Sequence, residues 1–366
     1  MLIGATMNET DLPSFKAMLA GNSIMRIFPV RAQGSLAGSP VKVLPPWTDS
    51  RFAYCREVGA IPFVSTKVDG SPAGLAHVRT QLLAMPEWVT QLYITDRHEP
   101  EGDVTPEQFR ANFLAFLDMV DGLPATLRAR IRCGPVLTRT WTERPAGGLK
   151  PGRSYRLHDP GVGDFFGVDM YVQTGTATSV VSPDTLPTAQ EFTAELKAYR
   201  YSPTDRRDRI IPELGVIGMP SDVDGAARAA WIRAVHAELA SWDRAETGWV
   251  MLGWIWWNSL GKATGEVAQV GQRRDFPLHL RTAPRGSGRG AGGAAEAVEL
   301  PGNPPAPVAA YNEIWAAEQT VTPVDDPAPD APPPAGSYDD GYTAGWAAGR
   351  QQLLADIAAL AVAPAP

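Results

Sequence analysis

Two glutamates stand in sequence contexts that suit acid–base chemistry. Glu99 closes the charged segment Asp-Arg-His-Glu, residues 96–99, which follows the short apolar segment 92–94. A buried strand that ends in polar residues holds them on a rigid element, where positioned proton transfer is best supported. Glu213 lies inside the mostly apolar segment 209–216, where an ionised carboxylate is costly without partners. Each glutamate also has a structural interpretation: a solvated turn for the first and a buried ion pair for the second.

Short apolar segments alternate with amphipathic ones between residues 2 and 257. Strands are predicted at residues 2–7, 23–30, 61–65, 92–94, 131–137, 165–172, 209–216 and 249–257. Helices are predicted at residues 11–19, 52–58, 73–83, 105–120, 188–199 and 224–242, with a last helix at 309–319. Continuous apolar strands are typical of a parallel sheet covered on both faces, and eight β–α units predict a closed (β/α)8 TIM barrel. A doubly wound open sheet is the alternative, but residues 4–8 (Gly-Ala-Thr-Met-Asn) are not the glycine-rich phosphate loop that it would need.

In a barrel of this kind the functional side chains come from the C-terminal ends of the strands. Glu99 on the fourth strand and Glu213 on the seventh are therefore expected to face each other across the barrel mouth. Glycoside hydrolysis uses such a pair of carboxyl groups, one protonated and one ionised. The charged neighbours of Glu99 and the apolar neighbours of Glu213 can hold the two pKa values apart.

Further polar and aromatic side chains at the strand ends are predicted to contact a substrate. They are Arg26, Lys67, His98, Trp141, Asp169, Tyr171, Trp254 and Trp256. Neighbours on a strand alternate between its two sides, so Trp254 and Trp256 share one side. We predict that both face the mouth as a stacking platform for a pyranose; packing in the barrel core is the alternative.

The residues around the two glutamates resemble those of the clan A glycoside hydrolases. The chain has His98-Glu99 after the fourth strand, Glu213 before Leu-Gly on the seventh, and a tryptophan-rich eighth strand. The His-Glu pair is most similar to the β-mannanases of glycoside hydrolase family 26, which usually continue Met-Asn-Gly where this chain has Pro-Glu-Gly. The resemblance covers about residues 1–265. It implies a retaining mechanism with Glu99 as acid/base and Glu213 as nucleophile, Tyr171 hydrogen-bonded to the nucleophile, and His98 beside the 2-hydroxyl of the sugar.

Composition limits the other partners of the chain. The 366 residues carry a net charge of -7 without a block of basic residues, which argues against nucleic acid. Cys55 and Cys133 are the only cysteines, so a disulfide framework is excluded and both are expected to be buried thiols. No cofactor or metal is expected. The alternative is a divalent cation held by the His98-Glu99 pair with Asp96 and Asp103.

The C-terminal part of the chain differs in character from the barrel. We predict a barrel domain at residues 1–320, a proline-rich linker at 321–336 and an amphipathic helical tail at 337–366 that serves oligomerisation or attachment to a partner; a disordered tail is the alternative. The N-terminus has no signal-peptide pattern and no segment is apolar enough to span a membrane.

The sequence supports two functions. One is a soluble retaining glycosidase that cleaves a polysaccharide or cell-envelope glycan. The other is a non-catalytic glycan-binding or structural virion protein, such as a bacteriophage minor tail protein, built on the same barrel. A virion-associated protein would act outside the cell after lysis, and otherwise the chain is expected in the cytoplasm.

Overall fold

A computed structural model describes nine stretches of the chain. They are residues 1–6, 21–31, 41–143, 149–151, 156–172, 186–216, 222, 225–256 and 306–320. The helix predicted at 11–19, the linker at 321–336 and the tail at 337–366 lie outside the described residues.

The described residues form twelve strands and eight α-helices. The strands are β1 (Leu2–Ala5), β2 (Ile24–Ile27), β3 (Val30–Arg31), β4 (Lys42–Val43), β5 (Ile61–Thr66), β6 (Leu92–Asp96), β7 (Ile131–Cys133), β8 (Val136–Glu143), β9 (Leu149–Pro151), β10 (Phe165–Val172), β11 (Asp208–Val216) and β12 (Met251–Trp256). The helices are α1 (Ser50–Val58), α2 (Pro72–Leu83), α3 (Pro106–Asp121), α4 (Ala125–Arg128), α5 (Ala189–Ala198), α6 (Ala226–Ala240), α7 (Arg244–Thr247) and α8 (Ala306–Thr320). The short segment Pro100–Gly102 is a 3-10 turn.

All strands except β3 and β4, which pair with each other as a separate antiparallel sheet, form the curled parallel sheet of a TIM barrel. Their order is β7-β6-β5-β2-β1-β12-β11-β10-β8-β9, and every pair is parallel except β8 with β9. The two ends of the parallel part, β7 and β8, are successive segments of one stretch of chain. Strands therefore neighbour one another in chain order around the sheet, without the reversal at a switch point that defines a doubly wound sheet. The predicted barrel is confirmed, with β7 and β8 together as the fifth of its eight strands.

The fifth barrel strand is broken at Gly134, which the sequence did not predict. Its first half pairs with β6 and its second half with β10. A Cβ atom at Gly134 would lie 2.3 Å from the carbonyl oxygen of Phe165, so only glycine permits this close approach of two backbones. The break lets one stretch of chain join the two edges of the sheet.

Capping residues fix where the outer helices begin. Thr105 accepts a hydrogen bond from the backbone N–H of Gln108 at the start of α3, and Pro106 takes the first helical position. Thr188 and Glu191 form a reciprocal capping box at the start of α5. These ends agree with the predicted helices to within one or two residues.

Two separate apolar clusters hold the barrel together. The inner one fills the barrel and consists of Ile24, Phe63, Tyr93, Val136, Phe165, Ile210 and Ile255, with Leu2, Ile61 and Leu252 against it. The larger one lies between the sheet and the outer helices and includes both buried cysteines. The helix α8 joins this outer layer, because the Tyr311 hydroxyl donates to the carbonyl oxygen of Gly21 over 3.0 Å. Across the part of the chain that the structure describes, no helix has both the length and the apolar character for a membrane span.

Candidate active site

Glu213 points into the barrel because β11 contains a bulge. Between Gly167 and Met170 of β10 the facing stretch of β11 runs from Ile210 to Leu214, one residue more. Ile210 lies in the inner cluster and Leu214 in the outer one. Glu213 is three residues after Ile210, so strict alternation of side chains would have placed it on the outer side of the sheet. The extra residue re-aims it toward the barrel axis, as bulges near functional sites commonly do.

The carboxylate of Glu213 is buried between a hydroxyl and a guanidinium. The Tyr171 hydroxyl donates a hydrogen bond to Glu213 Oε2. On the other side, Arg26 Nη2 lies 3.6 Å from Glu213 Oε1. Burial raises the pKa of Glu213 above its ordinary value and Glu99 adds to the increase, while Arg26 and the Tyr171 hydroxyl lower it. The tyrosine and arginine thus favour the ionised form that burial opposes.

Glu99 reaches the same place from the end of β6. Its backbone has a φ of 52°, in the left-handed region, and Arg97 has a φ of 48°. Such conformations are costly for residues with side chains and concentrate at functional sites. The Glu99 N–H donates to the Val136 carbonyl oxygen over 3.0 Å, which ties the turn to β8. Oxygen atoms of Glu99, Glu213 and Asp169 all lie within 4.8 Å of one another.

Asp169 lies on β10 two residues before Tyr171 and is fully buried. Its Oδ2 is 3.9 Å from Arg26 Nη2, and neither of its oxygens accepts a hydrogen bond within the described residues. Burial raises the pKa of Asp169 well above its ordinary value, and the neighbouring charge of Glu213 raises it further. Arg26 is itself fully buried, with its guanidinium 4.6 Å from the ring centroid of Phe63 at the floor of the site.

His98 is half-buried beside the glutamate that follows it. Its ring centroid lies 5.6 Å from that of Phe28, which follows β2. Burial lowers the pKa of His98 well below 6.5, and the positive charges of Arg26 and Lys67 lower it further. A neutral imidazole can both donate and accept a hydrogen bond, which suits contact with a sugar hydroxyl.

Lys67 lies in an ion-pair network at the outer part of the mouth. Its ammonium is 2.7 Å from Asp103 Oδ2, and the Arg97 guanidinium is 2.8 Å from the same oxygen. Arg97 also forms a bidentate pair with Asp69. These pairs connect the loop after β5 to the turn that carries Glu99.

Asp96 anchors the same loop from inside the protein. It accepts hydrogen bonds from the Val68 N–H at 2.9 Å, the Thr66 hydroxyl at 2.8 Å and the Asp69 N–H at 3.3 Å. Complete burial nevertheless raises the pKa of Asp96 to about 6. Asp96 and Asp103 are thus engaged away from Glu99, and the cation site predicted from them with His98 is not assembled. Of the three carboxyl groups that do meet, Glu213 and Asp169 share the cation Arg26.

The prediction that Trp254 and Trp256 face the mouth is wrong. Both belong to the outer cluster, whereas Ile255 between them belongs to the inner one. Trp254 packs edge-on against Tyr311 of α8 and donates to His236 Nδ1 of α6 over 3.4 Å. The reason is a second register shift: Arg209 pairs with Met251 but Ile210 pairs with Gly253. One extra residue in β12 reverses the side of every later side chain.

The remaining predicted residue, Trp141, lies in β8, where it pairs with Val172 of β10. Its side chain is outside what the structure describes. Glu101 is a residue that the sequence did not single out: its Oε1 accepts the Thr138 N–H over 2.8 Å, which fixes the turn after Glu99 against β8. The feature of the sequence that could have indicated Glu101 is its place in the charged segment after β6.

No protein-family model matches the sequence, and no curated protein matches it. Solved structures do match, and several of them are glycoside hydrolases. The chain is similar to the virulence factor SghA from Agrobacterium tumefaciens (12% identity, 74% of this chain and 80% of that one, TM-score 0.42). It is also similar to a family 39 glycoside hydrolase from Bacteroides cellulosilyticus (12% identity, 76% of this chain and 59% of that one, TM-score 0.44). A third match is a family 128 endo-β-1,3-glucanase from Sorangium cellulosum (11% identity, 76% of this chain and 93% of that one, TM-score 0.43).

Proposed function

We propose that this protein is a retaining glycoside hydrolase acting on a polysaccharide or cell-envelope glycan. The observation that carries the proposal is the approach of Glu99 and Glu213 from opposite sides of the barrel mouth, with oxygen atoms within 4.8 Å of each other. Retaining enzymes hold their two carboxyl groups about 5 to 5.5 Å apart, and inverting enzymes about 6.5 to 9.5 Å apart to admit a water molecule. The shorter spacing favours direct attack by one carboxylate.

In the first step Glu213 attacks the anomeric carbon while Glu99 donates a proton to the glycosidic oxygen. The bond between the anomeric carbon and that oxygen breaks, and a glycosyl ester on Glu213 forms. Tyr171 holds Oε2 of Glu213 by its hydrogen bond, which leaves Oε1 as the attacking atom. Arg26 beside Oε1 favours the ionised form of this carboxylate, against the burial that raises its pKa.

In the second step Glu99 acts as a base. It takes a proton from a water molecule, which attacks the anomeric carbon and releases Glu213 as a carboxylate. Both steps need Glu99 at a fixed distance, and the bond from its N–H to Val136 together with the Glu101–Thr138 bond supplies that restraint.

The test is hydrolysis of a panel of bacterial-envelope and plant glycans by three proteins: the native chain, Glu213→Gln and Glu99→Gln. Glu87→Gln is the matched control, because it makes the same chemical change at an exposed residue before β6, at the opposite end of the barrel. We expect the native chain and the control to cleave the same glycan, and both active-site variants to lose at least about 10³-fold in rate. Cleavage that survives Glu213→Gln would contradict the assignment of the nucleophile.

The retaining mechanism has its own test. A 2-deoxy-2-fluoro glycosyl fluoride of the sugar identified by the panel should add one glycosyl unit to the intact mass of the native protein, and peptide mapping should locate it on Glu213. Proton NMR of the first product should show the anomeric configuration of the substrate. The opposite configuration without labelling would indicate an inverting enzyme. Glycan binding without any cleavage would favour the non-catalytic glycan-binding protein.

A further inference from the structure

Two buried carboxyl groups share one buried cation at the centre of the site. Arg26 Nη2 lies 3.6 Å from Glu213 Oε1 and 3.9 Å from Asp169 Oδ2. Glu99 brings a third carboxyl oxygen within 4.8 Å of both acids. A single positive charge cannot balance all of these groups in their ionised forms. Like charges this close in a buried site are relieved when one of the acids keeps a proton.

The surroundings of the two acids differ, and the difference shows which one keeps the proton. Glu213 accepts the Tyr171 hydroxyl and is the nearer of the two to Arg26. Asp169 is fully buried and neither of its oxygens has a hydrogen-bond partner within the described residues. A carboxylate without donors is costly to bury, whereas a neutral carboxylic acid is much less so.

We propose that Asp169 is a positioning residue that carries a proton at neutral pH and thereby leaves the charge of Arg26 to Glu213. An ionised Asp169 would compete with Glu213 for the guanidinium and repel the carboxylate that must attack. A protonated Asp169 keeps the volume and polarity of the site without that competition. The catalytic consequence rests on the proposed function, whereas the protonation itself does not.

The charged and titratable groups around Asp169 act in the same direction. Burial and the negative charges of Glu213, Glu99 and Glu101 raise its pKa, and Arg26 is the neighbour that lowers it. Tyr171 of the same strand donates its hydroxyl to Glu213 instead. Among the described residues, the elements that face Asp169 therefore contribute the cation Arg26 from β2 and three acids: Glu213 from β11, and Glu99 and Glu101 from the segment after β6.

Infrared difference spectroscopy tests the protonation without any substrate. The spectrum of the native protein minus that of Asp169→Asn, both at neutral pH, should contain the carbonyl stretch of one protonated carboxylic acid. A native difference spectrum that shows only carboxylate bands would overturn the proposal. If Asp169→Asn does not fold, a pH titration of the native protein with ¹³C-labelled aspartate carboxyl groups gives the same answer.

The pH profile tests the catalytic consequence. The acid limb of kcat/KM reports the ionisation of the nucleophile in the free enzyme. If Asp169 is already neutral over that range, Asp169→Asn leaves the midpoint of the acid limb in place, whatever it does to the rate. If Asp169 were ionised, its replacement would remove a negative charge beside Glu213 and move the midpoint to lower pH, which would contradict the proposal. A protonated Asp169 in a protein that cleaves no glycan would refute the proposed function alone.

Discussion

The buried Asp96 should make the stability of this protein depend on pH in a way that one substitution removes. Its pKa is raised from 3.8 to about 6, with burial as the largest cause. The folded protein therefore holds a proton on Asp96 at pH values where the unfolded chain has lost it. The contribution of Asp96 to the free energy of unfolding is greatest below about pH 4 and decreases as the pH rises through about 6. The full decrease, from the two pKa values, is about 3 kcal/mol.

Asp96→Asn removes this titration. The amide cannot accept from Val68, Thr66 and Asp69 in the same way, so the variant is expected to be less stable than the native protein at acidic pH. That penalty does not vary with pH. The difference between the two proteins should therefore shift by about 3 kcal/mol in favour of the variant between about pH 4 and pH 7.5.

Urea unfolding at a series of pH values measures this difference directly. Asp118→Asn, the same substitution at an exposed position on α3, is the control for the loss of one carboxyl group. Parallel curves for Asp96→Asn and the native protein would refute the reasoning, because they would mean that burial does not hold a proton on Asp96. A difference that grows in favour of the native protein with pH would reverse the sign and refute it equally.

Three further substitutions test other parts of the site. Tyr171→Phe removes the donor to Glu213 Oε2 and should lower kcat/KM by about 10²-fold with an unchanged circular dichroism spectrum. An unchanged kcat/KM would show that this hydrogen bond does not assist Glu213. Trp254→Phe should lower the free energy of unfolding by about 1 to 3 kcal/mol, because the indole packs under α6 and α8. Glycan hydrolysis should not change. Weaker glycan binding by this variant would contradict the outward position of Trp254. Arg26→Met leaves two buried carboxyl groups without their cation and should lower the free energy of unfolding, measured in urea, by about 3 to 5 kcal/mol. An unchanged free energy of unfolding would show that these contacts do not stabilise the fold.

Apolar runs and capping residues carried most of the fold prediction. The strand predicted at residues 165–172 is found with both of its ends, since its continuous apolar run fits a strand buried on both faces. Thr105 and Thr188 mark the starts of α3 and α5 because a side-chain oxygen before a helix satisfies its free N–H groups. Such signals are local, so one sequence is enough to read them.

Register shifts set the limit of prediction in the site. The position of Glu213 on the seventh barrel strand predicts that it faces the mouth, and it does so through a bulge that the sequence does not reveal. Simple alternation places Trp254 and Trp256 on the same side of β12, as found, but it does not tell which side, and an extra residue in β12 turns both outward. A bulge depends on how a strand fits its neighbours, so it cannot be read from one strand alone.

Long-range polar partners were the second gap. The sequence predicts Asp169 as a residue of the site, but only the structure shows that no described residue donates a hydrogen bond to it and that it shares the cation Arg26. Asp96 holds the loop after β5 from a distance of 27 to 30 positions in the chain. Neither relation has a spacing or a composition that would reveal it.

The pairing of the first barrel strand with the last has a consequence for synthesis on the ribosome. Leu2 of β1 pairs with Gly253 of β12 and Ala5 pairs with Trp256. One edge of β1 therefore stays without its partner until about 250 residues have left the ribosome, and at 5 to 20 residues per second that takes roughly 10 to 50 seconds. An open parallel edge is a site for pairing with other chains. Nascent chains of this protein should therefore depend on chaperones more than those of a protein whose neighbouring strands complete their sheet early.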